Sequence, residues 1–154
     1  MGREVRRVPA DWQHPRYTEE NAPHGRAVGR YIPMFDGGYA EAAADFLEKA
    51  NAEGLQEAID YYGEAPKQEN YMPDWPQEQR THLMMYEDTT EGTPISPAFA
   101  TPEELARWLT DTGASSFGDQ TASYEAWLRV AKGGFAPSAV LYDGSLTSGV
   151  EAIA

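Results

Sequence analysis

The histidines and acidic residues are the side chains whose chemistry could support catalysis or metal binding in this chain. His14 and His24 stand ten residues apart in a segment with no helical or strand period, a spacing that matches no common metal-ligand pattern. Glu78 and His82 are four residues apart, which places two side chains on one face only in a helix. We expect their segment to be extended, and the absence of cysteine removes thiolate ligands. These residues therefore predict no metal site.

Sequence motifs that place catalytic groups are also missing. The chain has no G-x-S-x-G, no P-loop, no G-x-G-x-x-G after a strand and no D-x-D-x-D-G calcium loop. We predict no catalytic residue and no cofactor, and we interpret the chain as a non-enzyme. A small enzyme or nucleotide-binding protein, with a site assembled from residues distant in sequence, stays open as an alternative.

The charge of the chain is unevenly distributed. Residues 1–35 hold six arginines and four acidic residues, whereas residues 36–154 hold six basic and 21 acidic residues. The whole chain has a formal net charge of −13. Such an acidic body repels nucleic-acid phosphate and attracts basic protein surfaces. We therefore expect a protein partner with a basic surface and no direct nucleic acid binding, although charge that only aids solubility remains an alternative.

The N-terminal segment contains candidate contacts for such a partner. The run RRVPADWQHP has no regular period, and its prolines favour extended backbone. Arg6, Arg7 and Trp12 are of the residue types enriched in binding hot spots, so a recognition arm is one interpretation. The other interpretation is an arm that wraps its own domain, with Trp12 filling a surface groove.

A second set of candidate contacts lies in the predicted helices of residues 36–63. Their carboxylates lie mostly off the apolar face, and they form either a solvated face or a docking face for a basic partner. The candidates are Glu41, Glu48, Glu53 and Glu57.

The elements that must position these residues are clearest between residues 101 and 134. Thr101 is a good N-cap and Pro102 suits the first helical position, and Thr121 or Ser123 opens a second helix. Each helix has apolar residues at helical spacing, so we predict a two-helix core. The residues are Leu105, Trp108, Leu109, Tyr124, Trp127, Leu128 and Ala131, with both tryptophans buried.

Helical spacing also predicts two helices between residues 36 and 63. The first begins at Asp36 or Gly38, the chain is interrupted near residues 51–54, and Gly63 ends the second helix. The residues predicted to form the apolar face are Tyr39, Ala43, Phe46, Leu47, Ala50, Leu55, Ala58, Ile59 and Tyr62.

Strands are predicted near residues 80–87 and 138–142. The run RTHLMMYE places Leu83 and Met85 on one side of a strand and its alternate residues on the other. The run SAVLY has β propensity, and we expect it to pair with the first strand. The residues after it are expected to form a loose tail.

Several segments together resemble a family of small acidic proteins encoded by tailed bacteriophages and prophages. The similar segments are RRVPADWQHP, YMPDWP, EGTPISPAFATPEELARWL and GASSFGDQTASYEAWL, which leave out the helical region 36–65. The resemblance implies a phage accessory protein expressed inside a bacterial host, and it assigns no catalytic residue.

Together these observations predict an α+β fold: a helix-rich compact domain with a small antiparallel sheet and an irregular N-terminal arm. The expected boundaries are an arm at 1–35, one globular domain at 36–142 and a loose tail at 143–154.

The predicted function is that of a non-catalytic phage protein that binds a host protein through its acidic surface in the host bacterial cytoplasm. One version is inhibition of a nucleic-acid-binding or defence factor, with mimicry of DNA charge as one form. A phage structural or assembly protein is the alternative. No apolar run approaches the roughly 20 residues that span a bilayer, so no membrane partner is expected.

Overall fold

The computed structural model describes residues 2–137, 139–142 and 145–152, and it shows an α+β fold. The strands in this part of the chain are β1 Gly2–Val8, β2 His82–Glu87, β3 Thr93–Pro94, β4 Phe135–Pro137, β5 Ala139–Tyr142 and β6 Ser145–Ser148. The helices are α1 Tyr39–Glu53, α2 Leu55–Tyr62, α3 Pro102–Asp111, α4 Tyr124–Gly133 and the short α5 Gly149–Ala152.

The chain divides into two units whose boundaries differ from the predicted arm, domain and tail. One unit comprises residues 1–33 and 75–154 and contains the strands, and we call it the sheet unit. The other is Met34–Asp74, which contains α1 and α2, and we call it the hairpin unit. The N-terminal residues belong to the sheet unit and residues 34–74 form contacts mainly among themselves, whereas the sequence predicted an arm at 1–35 and one domain at 36–142.

The four-stranded sheet has the order β3-β2-β1-β4, and every neighbouring pair is antiparallel. Strand β1 is central and runs beside β2 with Val5 opposite Met85. The prediction of an irregular arm was therefore wrong for residues 2–8. Residues 9–38 do lack long regular elements, and they contain one short 3₁₀ turn at Gly25–Ala27.

Strand β2 has the predicted alternation, but both of its faces are buried. Leu83 and Met85 join the main hydrophobic core, while Met84 and Tyr86 are buried outside that cluster. Tyr86 contacts Trp12 through a hydrogen bond. The segment after β1 thus covers the second face of the sheet, as the wrapping interpretation predicted.

The two-helix core is confirmed around α3 and α4. Thr101 Oγ1 accepts a hydrogen bond from the Glu104 N–H at 3.1 Å, and Ser123 Oγ accepts one from Ala126 at 3.2 Å, so both helices begin at capped residues. Trp127 is fully buried in the core. Trp108 is only half-buried at its edge, so the prediction of its burial was too strong.

The described residues of the expected tail, 145–152, form a strand and a short helix instead of a loose segment. Val150 is fully buried in the core, and Glu151 accepts a hydrogen bond from the backbone of Ser123 at 2.6 Å. The strand at 139–142 pairs antiparallel with β6 and not with β2, because β1 and β3 already occupy both edges of β2. The remaining residues of the expected tail, 143–144 and 153–154, lie outside the described residues, as does Ser138.

The hairpin unit contains two helices joined at one glycine. Gly54 has a φ of 101°, a conformation that side chains rarely adopt, and it separates α1 from α2 where the sequence predicted an interruption. Gly38, one of the two predicted start residues, is the N-cap of α1. Phe46 is the buried residue of α1 and Ala58 that of α2, so most of the predicted apolar face is not a core.

Candidate functional site

The hairpin unit concentrates negative charge. Residues 34–74 contain ten carboxylates and two lysines, a net charge of −8 in 41 residues. The four predicted contact residues Glu41, Glu48, Glu53 and Glu57 all lie on its two helices and all are exposed. Lys49 forms an ion pair with Glu53, whose carboxylate raises the pKa of the lysine. The other three have no hydrogen bond or ion pair with any residue that the structure describes, so most of the charge is uncompensated.

Large apolar side chains are exposed among these carboxylates. Leu55 is 61% exposed and Ile59 37%, although their spacing places them with Tyr62 on one face of α2. Leu47 on α1 is 60% exposed and Tyr61 is 71% exposed. An amphipathic helix normally turns its apolar face to the core of its own domain. Here that face is only partly covered, because Ala58 is buried while Leu55 remains exposed.

The aromatic residues at the end of α2 are held by local contacts. The rings of Tyr61 and Tyr62 are perpendicular at 4.7 Å between centroids, and Lys49 Nζ lies 4.6 Å from the Tyr61 centroid. Tyr62 also contacts Phe46 at 6.2 Å. Side chains that are already ordered lose less conformational entropy on binding. Tyr61 therefore combines large exposure with restricted freedom.

The predicted anchors of the N-terminal segment are divided between surface and interior. Arg6 is 3% exposed, pairs with Glu4 at 2.8 Å and lies 4.2 Å from the centroid of the Tyr86 ring. The Arg6 guanidinium is therefore buried in contacts within the sheet unit, whereas a binding anchor has to be accessible to its partner. Arg7, its neighbour on the strand, points the other way and is exposed.

Trp12 is half-buried and begins a chain of hydrogen bonds. Its Nε1 donates to Tyr86 Oη at 3.1 Å, and that oxygen lies 2.8 Å from His14 Nδ1. His14 Nε2 lies 2.6 Å from the carbonyl oxygen of Ile32, which can only accept, so Nε2 carries the proton. Burial lowers the pKa of His14, and this neutral tautomer satisfies both ring nitrogens. Trp12 therefore serves the fold of the sheet unit.

A cavity of about 570 Å³ lies beside this chain of hydrogen bonds, lined by Trp12, His14, Tyr31 and Trp108 among others. A general base must offer a free lone pair to its substrate. Both nitrogens of His14 are engaged, so the imidazole offers none to this cavity.

No group of three histidine or acidic side chains among the described residues is arranged to hold a metal ion. In the same part of the chain, no helix combines the length and apolarity required to cross a bilayer.

The exposed apolar residues were missed as contacts because the sequence assigned them to a core. Helical spacing identifies an apolar face but does not say whether the chain's own domain or a partner covers it. The sequence signal that could have indicated their exposure is the small size of the segment 34–74. Its α1 is rich in alanine, and a 41-residue unit encloses little volume.

Comparisons with known proteins found no matching protein family, no similar curated protein and no similar solved structure.

Proposed function

We propose that this protein is a non-catalytic phage accessory protein that binds a basic surface of a host protein through the hairpin unit. The observation that carries the proposal is the exposure of Leu47, Leu55, Ile59 and Tyr61 among uncompensated carboxylates. The partner surface that fits this chemistry has apolar side chains surrounded by lysine or arginine.

The two kinds of residue have separate roles in this proposal. Apolar and aromatic side chains that become desolvated supply most of the binding free energy, and tyrosine is among the residues most enriched in hot spots. Charges around them accelerate encounter with an oppositely charged surface and exclude surfaces of the same sign. Leu55 and Tyr61 are the expected anchors, and Glu41, Glu48 and Glu57 are the expected steering charges.

The charge of the unit favours a basic protein over other occupants. A second copy of the chain would bring another net charge of −8 to the same surface. Duplex DNA and anionic membranes would be repelled for the same reason. A nucleic-acid-binding protein presents the required basic surface, so inhibition by mimicry of DNA charge is the version that we test first.

Photo-crosslinking in bacterial cells tests the proposal. A photoreactive phenylalanine analogue replaces Tyr61, and a matched protein carries it at Val28, which is 41% exposed in the sheet unit. We expect the Tyr61 protein to form an adduct with a basic host protein, and duplex DNA to reduce its yield. Adducts only between copies of the chain would support a structural or assembly protein instead. Equal adducts from both positions, or none, would contradict the proposal.

A further inference from the structure

One closed loop of the sheet unit contains three of its ten basic residues, Arg16, Arg26 and Arg30. Three backbone hydrogen bonds of 2.8–3.0 Å join residues 15–17 to residues 29–32 and close this loop at its base. A second set of contacts orders its interior, where Asn21 Oδ1 accepts from the backbone and hydroxyl of Thr18. Ordered loops with closed ends are often functional.

A cavity of about 610 Å³ lies against this loop. Its lining includes two arginines, one histidine and four hydroxyl-bearing residues: Arg16, Arg30, His24, Tyr17, Tyr31, Thr90 and Thr93. Among the described residues that line it there is no aspartate or glutamate. In a chain with a net charge of −13, a cavity lined by cationic groups without carboxylates is a local reversal of sign.

The guanidinium of Arg16 is held by contacts with Gly29 and Tyr31. Its Nη1 donates to the carbonyl of Gly29 and its Nη2 to Tyr31 Oη, both at 2.8 Å, and its guanidinium lies 3.9 Å from the Tyr31 ring centroid. A guanidinium carries five N–H groups, so donors remain for a ligand. An arginine held in this way loses little freedom when it binds phosphate or carboxylate oxygens.

Arg30 supplies a second guanidinium on the same cavity. Its side chain is exposed and makes no hydrogen bond or ion pair with any residue that the structure describes. Two guanidinium groups on one cavity match the two or three oxygens of a phosphate ester.

We propose that this cavity binds a small phosphate ester attached to a flat aromatic group, of which a nucleoside monophosphate is the representative. Arg16 and Arg30 hold the phosphate oxygens. Tyr17 is half-buried at the cavity and offers its ring for stacking, since every base presents a flat face to an aromatic side chain. The cavity volume lies within the usual range for small-ligand sites.

This site is separate from the proposed binding surface of the hairpin unit, and it does not imply binding of duplex DNA. A mononucleotide carries a charge of about −2 and enters a cavity, whereas a duplex presents a long array of phosphates to the whole acidic chain. Failure of one proposal therefore leaves the other unaffected.

Calorimetric titration of the full chain with adenosine 5′-monophosphate tests the inference, with adenosine and inorganic phosphate as separate probes. We expect the monophosphate to bind with Kd below about 1 mM and each separate half to bind at least about tenfold more weakly. Arg30→Gln should lower the affinity for the monophosphate by about tenfold or more, since hydrogen bonds to charged groups are strong. Arg26→Gln is the matched control, because Arg26 is exposed in the same loop but does not line the cavity.

The expected effect of Arg26→Gln is less than about twofold, and that of Tyr17→Leu is a loss of at least about fivefold. Absence of saturation at millimolar concentrations of the monophosphate would overturn the proposal. Equal losses in the two arginine variants would show a general charge effect and overturn the assigned site. Equal affinity for inorganic phosphate and for the monophosphate would overturn the aromatic part of the ligand.

Discussion

Trp127 is the residue on which the core of the sheet unit depends most. It is fully buried, and its Nε1 has no hydrogen-bond partner among the described residues, so its contribution comes from packing. We predict that Trp127→Ala lowers the free energy of unfolding by about 3–5 kcal/mol, as for other buried tryptophans. Urea unfolding followed by circular dichroism measures this. Tyr61→Ala is the control with an exposed aromatic residue and should change stability little. An unchanged melting temperature for Trp127→Ala would contradict the two-helix core.

His14 should make the stability of the protein depend on pH. Its pKa is lowered from 6.5, first by burial and further by the charge of Arg6, with the hydrogen bond to Ile32 acting in the opposite direction. Below pH 6.5 the unfolded chain binds a proton that the folded chain does not bind, so unfolding becomes more favourable. We predict a loss that begins as pH falls below about 7 and continues until the lowered pKa is reached, at most about 1.4 kcal/mol per pH unit.

The measurement is a series of urea titrations between pH 7 and pH 5 on the wild type and on His14→Gln. The variant loses hydrogen bonds at every pH, so the slope of stability against pH is compared and not its value. The slope should be smaller in the variant. Equal slopes would contradict the prediction that protonation of His14 makes stability depend on pH between pH 7 and pH 5.

Burial of arginine explains why the first strand could not be predicted. Three of the seven residues of β1 are arginine, which indicates a solvated segment in a sequence. The structure buries two of them because acidic partners are available, Glu4 for Arg6 and Glu87 for Arg3. Glu87 is more than 80 residues from Arg3, so no local pattern reports this pairing.

At the scale of elements, substitutions on the exposed face of helix α2 should affect binding of a partner but not the stability of the fold. Leu55 and Ile59 are exposed, so the double variant Leu55→Ser/Ile59→Ser should change the free energy of unfolding by less than about 1 kcal/mol. The same variant should lower the affinity for a partner by about tenfold or more, because it removes apolar area from the centre of the proposed interface. Thermal unfolding and capture of the crosslinked host protein measure the two effects. A large loss of stability would mean that this face belongs to the core.

Gly149 at the start of α5 should tolerate no side chain. A Cβ built on it would overlap the carbonyl group of Pro137, which is backbone and has little freedom to move. We predict that Gly149→Ala lowers stability by about 1–3 kcal/mol through this overlap. Gly133→Ala in α4 is the matched control, because nothing lies within 4 Å of its added Cβ, and it should be neutral or stabilising. Equal stability of the two variants would contradict the close approach of Gly149 to the Pro137 carbonyl.

Elements were predicted correctly from the sequence where the signal for them lies within a short stretch of the chain. The caps of α3 and α4 and the apolar spacing between them lie within 34 consecutive residues, and both helices were predicted closely. The pairing of β5 with β6 and the packing of Val150 depend on contacts with other elements. Propensity identifies a strand but does not select its neighbour.

At the scale of the whole molecule, charge is divided between the units in a way that the sequence suggested but did not delimit. The acidic excess predicted a basic partner, and the structure shows that ten of the 25 acidic residues lie in the hairpin unit. The predicted contacts Glu41, Glu48, Glu53 and Glu57 do share that unit. The apolar residues beside them were assigned to a core because the division into two units follows from contacts that no sequence period records.

The measurement that tests the central proposal most directly is quantitative affinity capture from a bacterial host lysate, with two variants of equal charge. Glu41→Gln/Glu48→Gln/Glu57→Gln removes three carboxylates from the hairpin unit. The matched variant, Glu19→Gln/Glu20→Gln/Glu78→Gln, removes three exposed carboxylates from the sheet unit. Mass spectrometry compares each variant with the wild type at about 0.1 M and 0.5 M salt.

We predict that the wild type and the matched variant retain the same basic host protein at the lower salt concentration. The hairpin variant should lose most of this host protein. The higher salt concentration should release the host protein from the wild type and from both variants, because the Debye length falls below about 10 Å. Equal retention by both variants, or retention that ignores salt, would contradict the proposal that the carboxylates of the hairpin unit recognise a partner.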